Sequence, residues 1–65
     1  MKDLIAKRLM ELRANRSQEE VTIALGISKS TWSMYENAER IPKDEIKIKI
    51  ANYFNKTVQE IFFDL

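Results

Sequence analysis

Residues 17–37, SQEEVTIALGISKSTWSMYEN, contain the signals that decide the fold. Ser17 is followed three residues later by Glu20, a capping box in which each side chain can bond the other residue's backbone N–H. Gly26 suits the left-handed end of the helix that Ser17 begins, and Ser28 can cap another helix directly afterwards. The stretch therefore predicts two short helices joined by a very short connection.

Each of these two helices has an apolar face that would point into a core. The residues of these faces are Val21, Ala24 and Leu25 in the first helix and Trp32 and Tyr35 in the second. Apolar residues three and four apart lie on one side of a helix. The second helix is expected to run from Lys29 to about Glu36, with its other side facing outward.

Two further helices are predicted before and after this pair. Ile5, Leu9 and Leu12 have helical spacing and mark a first helix that ends near residues 14–15. A second capping box, Thr57 with Glu60, opens a short last helix.

Residues 45–50 alternate polar and apolar side chains, as a strand does. The same residues also satisfy helical spacing, the segment 43–54 contains no turn residue, and a lone strand would have no partner. We therefore predict a helix here, with Lys47 solvated and Ile48 near the edge of its apolar face.

The composition excludes several classes of function. The chain has 65 residues with no cysteine and no histidine, so disulfides, zinc-finger ligand sets, thiolate nucleophiles and imidazole bases are absent. One glycine and one proline do not suit a sheet with tight turns. We expect a single all-α domain over residues 1–65, cytoplasmic because no signal or membrane segment is seen, without enzymatic activity and without a cofactor.

The order and spacing of these segments resemble the Cro/CI (Xre-type) helix-turn-helix family. The likeness rests on residues 17–21, 24–28 and 30–37, then Pro42 and residues 50–51, and it extends over about residues 5–62. It implies a compact five-helix, lambda-repressor-like domain with the helix-turn-helix at the second and third helices.

Two positions depart from the family pattern. Only residues 14–16 separate the first helix from Ser17, so that helix must end early or the turn must be tighter. Ala38 stands where the family favours glycine; if this position is left-handed, alanine costs about 1 kcal/mol, unless Asn37 takes that conformation instead.

The resemblance also implies which residues contact DNA. Lys29, Ser30 and Met34 correspond to positions that read base edges in the major groove, where Lys29 could donate to guanine and Met34 could touch a thymine methyl. Gln18 corresponds to a position that contacts a phosphate and supports the recognition helix. The full set is Gln18, Lys29, Ser30, Ser33, Met34, Asn37, Arg40 and Lys43. The alternative for these residues is a solvated helix surface.

Arg13 and Glu36 resemble a family ion pair that joins the first helix to the end of the third. The apolar end of the chain offers more hydrophobic surface than a short helix can bury, so Tyr53, Phe63 and Leu65 are candidates for a dimer contact. The alternative is that this tail only closes the core of its own domain.

The function implied is a sequence-specific repressor that binds double-stranded palindromic DNA as a homodimer. An antirepressor or a toxin could be a protein partner, and no membrane partner is expected. An antitoxin has the same fold and is a competing function. A helical protein-interaction adaptor without DNA binding is another, because the formal net charge is only +1.

Overall fold

The computed structural model of the chain describes residues 1–64 as five helices. They are α1 (Lys2–Arg13), α2 (Gln18–Leu25), α3 (Lys29–Glu36), α4 (Asp44–Phe54) and α5 (Gln59–Phe63), of which α5 is wound as a π-helix. The π winding is closed by the bond from Asp64 N–H to the Gln59 carbonyl, 2.8 Å. The all-α prediction is confirmed, including a helix where residues 45–50 alternate.

The helix ends form where the predicted caps lie. The Ser17 hydroxyl accepts from the Glu20 N–H at 3.0 Å, and the Ser28 hydroxyl accepts from the Thr31 N–H at 3.1 Å. Gly26 is left-handed, with φ 71°. The return bond predicted for Glu20 is wrong, because its carboxylate lies 3.9 Å from Arg16 instead. These caps fix α2 and α3 with only residues 26–28 between them.

The Thr57 capping box is complete. The Thr57 N–H donates to the Glu60 carboxylate at 2.9 Å, and the Glu60 N–H donates to the Thr57 hydroxyl at 3.0 Å. Arg8 of α1 then donates to the carbonyls of Glu60 and Asp64. Since Glu60 lies within α5 and Asp64 follows it directly, the guanidinium ties α5 to α1.

The core lies between all five helices. Its fully buried side chains are Leu9, Val21, Trp32, Ile50, Ile61 and Phe62. The prediction that Ala24 is buried is wrong: Ala24 is exposed and Thr22 is buried in its place, with its hydroxyl donating to the Glu19 carbonyl at 3.1 Å. The buried stripe of α2 therefore consists of residues 21, 22 and 25, whereas the predicted stripe was 21, 24 and 25.

Both departures from the family pattern fall at backbone positions with positive φ. Ala14 has φ 50° and ψ −117°, and the Arg16 N–H donates to the Arg13 carbonyl at 2.9 Å, which closes a tight turn after an early end of α1. Ala38 has φ 61°, whereas Asn37 has φ −92°, so alanine takes the left-handed role. An L-residue is strained in such conformations because its Cβ approaches the backbone.

Lys47 is not solvated as predicted. Only 15% of its side chain is exposed, and its ammonium lies 5.6 Å and 5.2 Å from the ring centroids of Phe62 and Phe63. A lysine can cover apolar surface with its stem and keep its charge near an aromatic face. The missed contact is between α4 and α5, which local spacing does not reveal.

Among residues 1–64, none of the helices combines the length and the hydrophobicity that a membrane span requires.

Candidate nucleic-acid interface

Helix α3 has one side in the core and the other toward solvent. Trp32 is fully buried, Tyr35 is nearly so, and their rings meet edge to face with centroids 6.1 Å apart. On the opposite side, Lys29 and Ser30 are exposed and Met34 is half-buried. The predicted inward and outward faces of α3 are both confirmed, and the outward face is held by a rigid apolar anchor.

The N-terminal end of α3 carries linked hydroxyl groups. The Ser28 hydroxyl lies 2.8 Å from the Thr31 hydroxyl and 3.2 Å from the Ser30 hydroxyl. These bonds place Ser30 beside the cap of α3, next to Lys29. The start of α3 therefore presents one ammonium and one oriented hydroxyl to solvent.

Gln18 and Ser33 join the start of α2 to the middle of α3. The Ser33 hydroxyl donates to the Gln18 side-chain oxygen at 3.1 Å, and the Gln18 amide nitrogen donates to Glu36 at 2.9 Å. Both residues are predicted DNA contacts, and the structure brings them together. An amide nitrogen has two N–H groups, so Gln18 can hold α3 in place and still donate once more.

Glu36 is the centre of this hydrogen-bond network. One carboxylate oxygen accepts from Arg13 Nε at 2.6 Å and from the Trp32 indole at 2.6 Å. The other accepts from Arg13 Nη2 at 3.0 Å and from Gln18. The predicted Arg13–Glu36 pair is therefore present as a two-pronged contact. The Trp32 bond was missed, although the i, i+4 spacing of Trp32 and Glu36 could have indicated it.

The electrostatics of Glu36 follow from these donors. Burial alone would raise the pKa of its carboxyl group, but the hydrogen bonds from Arg13, Gln18 and Trp32 outweigh burial and lower that pKa below its ordinary value. Glu36 is thus held as a carboxylate. Its negative charge is compensated inside the domain, so it subtracts little from the basic character of the α3 surface.

The loop after α3 continues the same outward surface. Asn37, Arg40 and Lys43 are exposed, while Pro42 is buried and anchors the loop. The Met34 carbonyl accepts from the N–H groups of residues 39 and 40, at 2.8 Å and 3.3 Å. Two exposed cations and one amide therefore lie in a loop that is tied back to α3.

Two of the three predicted dimer residues, Tyr53 and Phe63, lie on different grooves. Tyr53 is half-buried, meets Phe54 edge to face at 4.9 Å, and lines a groove with Ile23. Phe63 is 53% exposed and lines a different groove with Ile48. Leu65 is outside the described residues. The proximity of Ile48 to Phe63 has no local signal in the sequence, because α4 and α5 meet only in the folded chain.

Comparisons with known proteins agree with this geometry. The sequence profile of a helix-turn-helix family matches residues 7–61. The chain is also similar to the cryptic phage CTXphi transcriptional repressor RstR of Vibrio cholerae, at 30% identity over 63 residues. That alignment covers 94% of this chain and 57% of the repressor, so the chain spans little more than half of that relative's length. No solved structure matches the chain. Given a family match over most of its residues and the α2–α3 geometry, the chain belongs to the Cro/CI (Xre-type) helix-turn-helix family of DNA-binding transcriptional regulators.

Proposed function

We propose that the protein is a sequence-specific repressor that binds a palindromic operator as a homodimer, with α3 in the major groove. The observation that carries this proposal is the asymmetry of α3: one side is locked by Trp32 and Glu36, while Lys29, Ser30 and Met34 face outward. A binding surface held by a rigid scaffold loses little conformational entropy when it meets its ligand. We also propose that the protein acts in the cytoplasm.

The outward residues of α3 are assigned to base edges. Lys29 can donate to guanine O6 and N7, Ser30 can bond several base edges, and the Met34 side chain can contact a thymine methyl. Met34 is partly exposed and is the apolar member of this face.

The surrounding polar residues are assigned to the phosphates. Gln18 has a further N–H to donate and lies at the start of α2, where backbone N–H groups also favour an anion. Asn37, Arg40 and Lys43 extend from the end of α3 along the loop. Ser33 acts through Gln18, whose orientation it fixes. Few cations are involved, so we expect modest affinity with a shallow dependence on salt.

The size of the domain suits adjacent half-sites. Its Cα envelope measures 26 × 23 × 23 Å. Two copies in contact, with helix axes about 8–10 Å apart and each axis about 2.3 Å inside its Cα envelope, would have centres about 26–31 Å apart. Half-sites on one face of B-DNA are about 34 Å apart. The centres of side-by-side copies are therefore within about 3–8 Å of that spacing.

The test is selection of bound sites from random DNA, followed by titration of the selected duplex with Lys29→Ala and Ser30→Ala variants. Loss of a base contact by Lys29 should cost about 1–3 kcal/mol and relax the preference at one base pair. Lys56→Ala is the matched control, since Lys56 follows the far end of α4, about 16 Å along the helix from Lys43. Equal effects of Lys29→Ala and Lys56→Ala would contradict the assignment of α3. No selected DNA at all would favour the adaptor function.

A further inference from the structure

We propose that the groove between α2 and α4 docks a different protein, through a short amphipathic helix that carries a carboxylate beside a large apolar residue. This α2–α4 groove is formed by residues 23–26, at the end of α2, and by Lys49, Asn52 and Tyr53 of α4. None of these residues is assigned to DNA. Docking there is therefore a property beyond the proposed function and does not depend on it.

The groove offers an apolar contact that the domain leaves uncovered. Ile23 is 73% exposed, more than any other large apolar side chain among residues 1–64. On the α4 side, the half-buried Tyr53 ring meets Phe54 edge to face at 4.9 Å, and the Arg16 guanidinium lies 5.5 Å from its centroid. The ring is thus held in place before a partner arrives, so docking orders few further side chains.

The shape of the groove suits a segment of protein. Gly26 is left-handed, and a Cβ added there would meet nothing from the rest of the chain within 4 Å. The groove has a volume of about 530 Å³ and is open, since Ile23, Lys49 and Asn52 are all exposed. A small-molecule site encloses most of its ligand, whereas an open apolar groove between helices can accept another helix.

Lys49 determines the charge of the occupant. It is the one charged residue that lines the groove, and none of the ion pairs among residues 1–64 involves it. Glu19 and Glu20 precede Ile23 by one turn of α2 and do not line the groove. A carboxylate on the partner would meet this unpaired ammonium, whereas a cation would be repelled.

A second copy of this chain does not suit the α2–α4 groove. In a two-fold interface the same patch meets itself, so Lys49 of one copy would approach Lys49 of the other. The groove between α4 and α5 is different, because Asp44 and Lys47 in its lining already lie 3.8 Å apart. Its charges are satisfied within the chain and do not specify an occupant.

The two requirements define the partner segment. Residues three or four apart lie on the same side of a helix. The occupant therefore needs a large apolar residue to cover Ile23 and an Asp or Glu three or four positions away to reach Lys49.

The experiment begins with selection of random peptides of about 15 residues, displayed on phage, against the immobilised chain. Affinities of the selected peptides are then measured by fluorescence anisotropy for wild type, Ile23→Ala and Ile48→Ala. Both substitutions truncate an exposed isoleucine, but only Ile23 lines the α2–α4 groove. We expect Ile23→Ala to weaken binding at least about tenfold and Ile48→Ala to leave it unchanged.

Charge reversal at Lys49 tests the carboxylate. Lys49→Glu should weaken binding at least about fivefold, and a peptide whose acidic residue is replaced by lysine should prefer Lys49→Glu to wild type. Lys7→Glu makes the same change on the exposed side of α1 and is the matched control. Binding to Lys49→Gln should depend less on salt than binding to wild type. Circular dichroism checks that each variant folds.

Three results would overturn the proposal. The first is peptides that bind Ile23→Ala as tightly as Ile48→Ala, and the second is selection of basic peptides or of none. The third is a wild-type dimer in sedimentation equilibrium that Ile23→Ala abolishes, because the occupant would then be a second copy. Peptide binding is measured without DNA, so failure to bind an operator would contradict the proposed function and leave these outcomes unchanged.

Discussion

The substitution Glu36→Gln tests the network that holds α3 against the rest of the domain. Each carboxylate oxygen of Glu36 accepts two hydrogen bonds: one from Arg13 Nε and Trp32, the other from Arg13 Nη2 and Gln18. Glutamine replaces one oxygen with an NH₂ group, which accepts nothing. Either orientation of the amide therefore sets its N–H groups against two donors.

The expected loss of stability follows from those two contacts. A hydrogen bond to a charged group contributes about 1.5–3 kcal/mol, and two of them about 3–6 kcal/mol. Arg13 is partly exposed and can turn toward water, which reduces its share. We expect a net loss of about 3 kcal/mol, within the range for removing one partner of a buried ion pair. A domain of this length has only about 3–10 kcal/mol in total.

Urea unfolding, followed by circular dichroism and by the fluorescence of the single Trp32, measures this loss. With a slope of about 1 kcal/mol per molar urea, the midpoint should fall by about 3 M. Glu39→Gln makes the same charge change on an exposed side chain nearby and should shift the midpoint little. A Glu36→Gln midpoint equal to that of Glu39→Gln would refute the reasoning.

Two further predictions concern the backbone and the pH dependence. Ala38→Gly and Ala14→Gly should each raise the free energy of unfolding by about 1 kcal/mol, because both positions have positive φ. Ala24→Gly, on the exposed side of α2, should lower it by a similar amount, and thermal unfolding that showed one sign for all three would contradict the argument. Because the pKa of Glu36 is lowered in the folded state, its contribution is complete above the ordinary value of 4.5 and is lost as the pH falls through the folded pKa. The free energy of unfolding of wild type should thus fall more between about pH 5 and pH 3 than that of Glu36→Gln. An equal fall in the two proteins would show that Glu36 is not the group responsible.

Local signals in the sequence predicted most of the helix boundaries. Ser17, Gly26 and Ser28 act through bonds and torsions within four residues, so α2 and α3 begin and end where their caps indicate. The family resemblance supplied the long-range Arg13–Glu36 pair, which no local pattern contains. The resemblance places glycine at position 38 but left two candidates for the left-handed conformation, Asn37 and Ala38, and the structure has it at Ala38.

The features that were not predicted depend on how distant segments meet. Lys47 and Ile48 are neighbours on α4, yet Lys47 covers the rings of Phe62 and Phe63 while Ile48 is 54% exposed, and this difference depends on where α5 lies against α4. The π winding of α5 has no sequence signal of its own. For the same reason, the two aromatic residues predicted for one dimer contact lie on different grooves.

The hydrogen bonds through Glu36 connect Gln18, the residue proposed to contact a phosphate, to the single tryptophan. A phosphate that accepted the remaining N–H of Gln18 would join this hydrogen-bond network, in which Gln18 and the indole of Trp32 both donate to Glu36. If the ordered hydrogen bonds raise the affinity for DNA, bound DNA must stabilise these hydrogen bonds by the same free energy. In a preparation held at the midpoint of its thermal transition, added operator should refold the population, and the emission of one tryptophan would record the occupancy of the operator.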